Sequence, residues 1–457
     1  MRENCGVLGI YSKDNCVNDI YLGIDFLQHR GQEYCGIATV SNNDIKLITH
    51  RGRVGERFTE LELQSLSGNF GIGHVSLKDR QPIWLETNIG SFATCFSGNI
   101  INADELFLDF KRKGHSFATT SQIELILKLI GEGKDIIDGI SKMSNTIVGS
   151  FSLLLLNKDG VYVARDPHGF KPLILGTGRD NFIVASESRA IENLDMEIER
   201  DVVPGEIILI DKRGFKTLEQ LPTRRIAHCA FEWAYIASID SKIDGVYVKE
   251  ARNNLGEKLA ERDEREGGIK ADCVSPVPMS GIGHALGYHK RSKIRYQEVF
   301  LYNRYADRSY TMATQEARDR MAKRKISVIR EAVCGKRIVL CDDSIVRGTQ
   351  IRNKVRELKK GGAKEVHVRV ACPPLMHPCI YDISTRTYEE LAARSYIKEG
   401  EIDSLNKLRL VEEKVAEQVG ADSVKYNSLD DFVAAIGLPK NQLCLRCWDG
   451  VSPIEDK

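Results

Sequence analysis

Through the first half of the chain, short apolar runs alternate with glycine and asparagine, most clearly at residues 5–11, 36–40 and 151–156. Runs of this length bounded by turn formers predict strands. Helical spacing is rarer. Residues 121–130 (SQIELILKLI) carry apolar side chains at helical intervals behind Ser121, a helix-capping residue type, and residues 20–28 do so less cleanly. Many strands and few helices predict an α+β unit with strands packed face to face. After Pro204-Gly205 and the polar Thr223-Arg224-Arg225 the pattern changes, which puts a domain boundary near residue 230. Beyond it strands alternate with helices. Residues 337–341 form an apolar strand, Ile351, Val355 and Leu358 a helical stripe, Gly361-Gly362 a stop, and residues 366–371 a second strand. That succession predicts a βαβ unit and a parallel sheet.

Length and composition bound the picture. A chain of 457 residues exceeds the size of one hydrophobic core, so two domains are expected, over 5–230 and 231–457. With 42% hydrophobic and 28% charged residues it has the composition of a folding chain. The 65 basic and 64 acidic side chains leave a net charge of +1, so no global field draws it to nucleic acid or to an acidic membrane. Any anion site must be local. The longest apolar stretch, residues 147–156, is interrupted by Gly149 and Ser150 and is too short to span a bilayer. The N-terminus lacks the basic and apolar regions of a secretory signal, which predicts a cytoplasmic location. Of the 12 cysteines, Cys35, Cys95, Cys273 and Cys341 lie inside apolar runs and read as small buried hydrophobes.

The most informative stretch is Asp342-Asp343-Ser344-Ile345-Val346-Arg347-Gly348-Thr349, between the predicted strand and helix. Two adjacent carboxylates at a strand's C-terminal end can hold ribose hydroxyls or Mg²⁺. Ser344, Gly348 and Thr349 lead into a helix N-terminus whose amides and hydroxyls suit a phosphate. An ordinary strand-to-helix turn needs only a cap, whereas here eight residues fall in a specific order.

On these residues the C-terminal half resembles the type I phosphoribosyltransferases, which use phosphoribosyl pyrophosphate with Mg²⁺. The resemblance implies that Asp342 and Asp343 bind the ribose hydroxyls and metal region, with Ser344, Arg347, Gly348 and Thr349 around the 5′-phosphate. Pro276-Val277-Pro278-Met279-Ser280-Gly281 is similar to the family's pyrophosphate loop, which places Ser280 near the metal. Asn303-Arg304-Tyr305 and the basic stretch through Lys325 resemble its lid, with Arg304 a substrate contact.

Cys5 stands almost at the start, in Cys5-Gly6-Val7-Leu8-Gly9-Ile10, followed by Gln28-His29-Arg30-Gly31-Gln32. If the four leading residues are removed, its α-amine, with an ordinary pKa of about 7.7–8.0, can serve as general base for its own thiol. A near-terminal cysteine alone is more often incidental. Joined to the phosphate loop, it resembles the glutamine phosphoribosylpyrophosphate amidotransferases, which open purine synthesis, over nearly the whole chain. The fold implied is an α+β N-terminal-nucleophile (αββα) glutaminase domain followed by an α/β phosphoribosyltransferase domain with a parallel sheet. The substrates implied are glutamine and phosphoribosyl pyrophosphate, in a homo-oligomer that binds neither nucleic acid nor membrane. Ser97-Gly98-Asn99-Ile100 matches the family's oxyanion segment, making Gly98 and Asn99 catalytic alongside Cys5. Arg165-Asp166-Pro167-His168-Gly169 follows the same pattern.

Four positions depart from that pattern. Ser76 stands where the family has an arginine that clasps the glutamine carboxylate, and Gln122 where it has an aspartate for the α-amino group. Met279 replaces an acid in the pyrophosphate loop, and Tyr302 replaces a lysine. Lys78 or Arg80 could substitute from nearby. The changes leave open a paralogue that uses ammonia or another amide donor, and a non-catalytic sensor of ribose phosphates. The pair Cys444 and Cys447 has metal-ligand spacing that suits a redox pair or half a zinc site equally well. The family comparison adds Cys229 and Cys379, and four thiolates suit a [4Fe-4S] cluster that ties linker, transferase domain and tail together.

Overall fold

The computed structural model describes residues 5–223, 225–303, 326–381, 385, 387–397, 402 and 404–454. The N-terminal half holds a seven-stranded and a six-stranded sheet. Gly6–Tyr11 lies inside the first, antiparallel to both Phe70–Ser76 and Phe182–Ala185. Gly149–Asn157 lies inside the second, between Gly90–Ile100 and Gly160–Arg165. Side chains alternate across each strand, so each sheet has two faces to cover. Val7, Ala38 and Ile72 of the first sheet meet Cys95, Leu154 and Val163 of the second in one core. On the outer face of the first, Leu8 and Ile10 pack against Ile20 and Ile24 of helix Val17–Phe26. On the outer face of the second, Phe96, Leu153 and Leu155 pack against Ile126 and Ile130 of helix Gln122–Gly131 and Ile140 of helix Ile136–Thr146. Four layers result: helix, sheet, sheet, helix.

The expected helix over 121–130 forms, but the Ser121 side chain does not cap it. Instead the Glu124 carboxylate ties the preceding loop to the first turn, accepting from the amides of Ala118 and Thr119 at 2.8 Å each. A carboxylate in the first turn also suits the positive end of the helix dipole.

The C-terminal half carries a four-stranded parallel sheet in the order Cys273–Pro276, Arg337–Asp342, Glu365–Val370, Ser423–Tyr426. Helix Thr349–Lys360 makes the predicted crossover and buries Ile351, Val355 and Leu358. These pack on Ile338, Leu340, Val366 and Val368. The other face is covered by helices Val248–Arg265 and Ile282–Ser292, through Leu259, Ala285 and Tyr288 against Val339 and Cys341. Parallel strands bring all their C-terminal ends to one edge, where loops form the ligand crevice of such sheets. Pro276 and Asp342 end neighbouring strands there.

Between the two halves runs a single π-helical turn, Glu232–Ile236. Such turns are rare and concentrate at functional sites.

Candidate active site

At the edge of the parallel sheet, two segments far apart in sequence close on each other. The Ser280 hydroxyl donates to Asp342 Oδ1 at 3.1 Å, and the Asp343 amide donates to the same oxygen at 3.0 Å. The loop 276–281 is held to the strand end by the Val277 amide on the Cys341 carbonyl, 2.8 Å. Gly281 is required there: a Cβ would lie 2.2 Å from the same carbonyl oxygen. Met279, next to Ser280, adopts φ 73° and projects into solvent, 66% exposed. A left-handed conformation costs a side-chain-bearing residue on the order of 1 kcal/mol or more, and such strain clusters at ligand loops.

Asp342 and Asp343 are both buried. Burial, and then the neighbouring Asp343 charge, push the Asp342 carboxyl up to about 7. The Ser344 hydroxyl donates to Asp343 Oδ1. Gly348 takes φ 74° to turn the chain into helix Thr349–Lys360, whose open N-terminus faces the loop. Arg347 pairs with Glu390 on the surface. Ser280, Asp342, Asp343, Ser344, Gly348 and Thr349 therefore share one loop cluster, while Arg304 and the lid through Lys325 lie outside the described residues. What the cluster can do is bind a metal-complexed, phosphorylated ligand: carboxylates and a hydroxyl from Ser280, Asp342 and Asp343, and a helix N-terminus with no side-chain cap among the described residues.

In the N-terminal half, Cys5 is buried at the start of the central strand. Its carbonyl accepts from the Ser97 hydroxyl at 2.8 Å, and its thiol lies 3.4 Å from the Ser76 hydroxyl. Gly98 follows Ser97 in the same strand, opposite Phe151. The Asn99 side chain is held at both ends: its Nδ2 donates to the Ile380 carbonyl at 2.8 Å, and its Oδ1 accepts from Gln122 Nε2 at 3.2 Å. Gln122 also donates to the Ile100 carbonyl at 3.0 Å and accepts from the Ile100 amide at 3.0 Å. The contacts of Ser97 and Ser150 could not be read from the sequence. Ser150 accepts from the Asn99 amide at 3.3 Å and donates to the Tyr381 carbonyl at 2.6 Å, and nothing in a Gly-Ser step of a strand announces that role.

Known proteins resemble this chain over nearly its whole length. A glutamine amidotransferase domain model matches residues 69–193. The amidophosphoribosyltransferase of Methanothermobacter thermautotrophicus is 40% identical over 99% of this chain and 95% of its own length. That of Bacillus subtilis is 34% identical over 100% of this chain and 95% of its own. The solved structure of the B. subtilis glutamine phosphoribosylpyrophosphate amidotransferase with ADP and GMP superposes with a TM-score of 0.89 at 34% identity, covering 99% of this chain and 98% of that one. This chain belongs to the amidophosphoribosyltransferase family.

In this amidophosphoribosyltransferase family member a buried ionic network joins the two halves. Arg30 reaches Glu187 and Glu232, and Lys171 reaches Glu232 at 3.0 Å; all four side chains are at most 2% exposed. Burial raises the Glu187 carboxyl, but His29 and Arg30 override it and hold it well below the ordinary range. On the other side of the π-helical turn, Arg252 donates to the carbonyls of Trp233 at 3.0 Å and Ala237 at 2.6 Å. His284 lies 3.3 Å from the Ala234 carbonyl. Burial, then Arg252, lower the His284 imidazole to about 4, so it is neutral at physiological pH. One short segment is thus gripped by ions of the first half and by Arg252 and the neutral His284 of the second.

Cys229, Cys379, Cys444 and Cys447 all line one cavity, with Lys171, Phe231 and Tyr381. Parallel pairing sets Cys229 beside Cys444, and the Cys447 carbonyl receives the amides of Met376 and His377 at 3.0 and 3.1 Å. Contact with Cys379, then burial, hold the Cys447 thiol well above its ordinary value, and burial pushes Cys229 up to about 12. The free volume is about 20 Å³, so a cluster would enter by spreading the thiols. Among the described residues no three His, Cys, Asp or Glu side chains converge tightly enough for a single ion. An all-cysteine donor set has the chemistry of an iron-sulfur site.

Proposed function

We propose that this chain makes 5-phosphoribosylamine from phosphoribosyl pyrophosphate and glutamine, the first step of purine synthesis, with glutaminase chemistry in 5–230 and glycosyl transfer in 231–457. Cys5, made N-terminal by removal of Met1 to Asn4, attacks the glutamine amide while its α-amine takes the thiol proton. The Gly98 amide and the second hydrogen of Asn99 Nδ2 stabilise the oxyanion. Collapse leaves a glutamyl thioester on Cys5 and releases ammonia; water then frees glutamate. Ammonia passes to the second site, attacks the ribose C1 and displaces pyrophosphate. Asp342 and Asp343 orient the ribose hydroxyls, and Ser344, Arg347, Gly348 and Thr349 hold the 5′-phosphate, with Arg304 as a further substrate contact. Ser280, Asp342 and Asp343 would hold Mg²⁺, which when bound neutralises charge on the leaving pyrophosphate.

Cys229, Cys379, Cys444 and Cys447 would carry a structural [4Fe-4S] cluster. No helix among the described residues is long and apolar enough to cross a membrane. We place the protein in the cytoplasm as a homo-oligomer, its partners being small-molecule substrates.

The observation that carries the proposal is the contact of Ser280 with Asp342, which unites a pyrophosphate-type loop and a paired-acid loop at the strand ends of a parallel sheet. A steady-state assay with Mg²⁺, comparing glutamine with ammonium as donor, tests it. Pyrophosphate release and amine formation with glutamine are expected; release with neither donor ends the proposal.

A further inference from the structure

Two consecutive carbonyls of the second half reach into the first. The Ile380 carbonyl accepts from Asn99 Nδ2 at 2.8 Å, and the Tyr381 carbonyl accepts from the Ser150 hydroxyl at 2.6 Å, across 281 and 231 positions of sequence. Asn99 and Ser150 face each other across strands Gly90–Ile100 and Gly149–Asn157, and the Asn99 backbone amide donates to the Ser150 hydroxyl at 3.3 Å. The pair is therefore clamped from outside its own sheet.

The clamp is anchored by the Tyr381 side chain, which is buried. Its ring stacks on Phe170, with centroids 4.4 Å and planes 23° apart, and its hydroxyl lies 2.8 Å from that of Ser452. Phe170 is a firm seat. One oxygen of Asp166 accepts from the amides of His168 at 2.9 Å and Phe170 at 3.4 Å, and the other accepts from the Phe151 amide at 3.3 Å. The ring contact thus leads back to the residue beside Ser150, closing a circuit of contacts with Asn99 on its rim.

The last torsion of an asparagine side chain has no sharp staggered wells, so its amide takes its orientation from its partners. Asn99 has one partner in each half: Gln122 at Oδ1 and the Ile380 carbonyl at Nδ2. A donor stabilises developing charge only when it is aimed before the reaction. We infer that Tyr381 is a positioning residue for glutamine hydrolysis: seated on Phe170, it holds the carbonyls of 380 and 381 on Asn99 and Ser150, so that the second half aims the oxyanion amide of the first. The inference rests on Asn99 being an oxyanion donor.

Steady-state kinetics of the full-length Tyr381→Ala and Tyr381→Phe variants test it, with glutamine and ammonium as alternative donors. Tyr381→Ala should lower kcat for glutamine hydrolysis at least tenfold, with KM within about threefold and ammonia-dependent amine formation within about twofold of the parent. Tyr381→Phe keeps the stacked ring and should restore most of the rate. A second readout is inhibition by glutamate γ-semialdehyde, which adds to Cys5: a C–S bond forms, and the carbonyl π pair and the thiol proton pass to oxygen. Its inhibition constant should rise at least tenfold in Tyr381→Ala, while that of glutamate, which forms no such adduct, should stay within about threefold. If Tyr381→Ala does not fold, Ser150→Ala decides, because it removes the donor to the Tyr381 carbonyl without touching a ring; a fall of about threefold or more in kcat for glutamine alone is expected. Unchanged kcat, equal losses with both donors, or a rise in KM at constant kcat overturns the inference and leaves the proposed reaction standing. Parent protein that forms amine from ammonia but hydrolyses no glutamine sinks the glutaminase reading itself, and this inference with it.

Discussion

The Ser280 hydroxyl donates to Asp342 across 3.1 Å, joining two loops that lie 62 residues apart in sequence. The contact matters because Asp342 is buried beside a second carboxylate and is pushed up to about 7 by burial and by that charge. Two neighbouring acids in a dry site are a poor arrangement for folding and a good one for a divalent cation.

Asp342→Asn should separate those two roles. A folded-state value above the unfolded one means the native protein holds a proton that the unfolded chain has lost, so this group's contribution to stability falls as pH rises from the ordinary aspartate value towards about 7. Replacing it with neutral Asn should raise the melting temperature at about pH 8 without Mg²⁺, by roughly 2 °C or more. The same variant should bind magnesium phosphoribosyl pyrophosphate about 10- to 100-fold more weakly, from loss of a charge-assisted ligand. Calorimetry reads both effects. In the parent, affinity should climb as pH rises through about 7, where the carboxylate becomes available.

Glu232→Gln should be costly. Glu232 is the shared partner of buried Arg30 and Lys171, so its neutralisation leaves two cations undercompensated. Breaking a buried ion pair from one side typically costs about 3–5 kcal/mol. A drop of several degrees in melting temperature is expected. An unchanged melting temperature would falsify the view that the network holds the halves together.

Glu187 should govern part of the acid limb of stability. Its carboxyl is held well below the ordinary range by His29 and Arg30, against the effect of burial. Stability from a depressed carboxyl is fully present above the unfolded value of about 4.3 and is lost as pH falls below it. Glu187→Gln should therefore lower the melting temperature at about pH 6 and narrow its gap to the parent as pH drops through about 4. Parallel melts across that range give the answer directly.

Much of this site was legible in the sequence, and the reason is locality. The stripe Ile351, Val355 and Leu358, the stop at Gly361 and the two flanking strands all report on neighbours a few positions away, so periodicity alone placed them. The strand-to-helix turn at 342–349 was legible because its order is specific over eight consecutive residues. The cysteine quartet needed a family resemblance, since Cys229 and Cys379 lie far from the Cys444 and Cys447 pair. The ionic network was invisible: Arg30 and Glu187 are 157 positions apart, Arg30 and Glu232 202, and no local pattern links them. The π-helical turn was equally hidden, because its register depends on what grips each end. Ser76 could be seen only as a departure. Its contact with Cys5 spans 71 positions and is made by the fold.

Cys447→Ser should abolish iron loading. In protein purified without oxygen and reconstituted with iron and sulfide, four thiolates around one wall lead to an expected content of about four irons per chain, with matching acid-labile sulfide. The serine variant should lose most of both. Because the proposed ligands are spread over residues 229, 379, 444 and 447, it should also melt at lower temperature than the loaded parent. Parent protein that takes up no iron under these conditions rules the cluster out.

Gln122→Glu should damage glutamine hydrolysis more than glutamine binding. In the parent, Gln122 donates to Asn99 Oδ1 at 3.2 Å, while the Ile380 carbonyl receives Asn99 Nδ2 at 2.8 Å. These two contacts fix which way round the Asn99 amide sits, and with it the remaining Nδ2 hydrogen proposed for the oxyanion. A carboxylate at 122 has no hydrogen to give Oδ1, so it favours the flipped amide, with Nδ2 turned towards position 122 and away from the reacting carbon. The Ile380 carbonyl then loses its donor as well, at about 1–3 kcal/mol. Removing one oxyanion donor typically costs about 10²–10³ in kcat. A fall in kcat of at least tenfold with KM changed by less than a factor of about three is expected. A rise in KM at constant kcat would instead assign Gln122 to ground-state binding of glutamine and remove Asn99 from the oxyanion site.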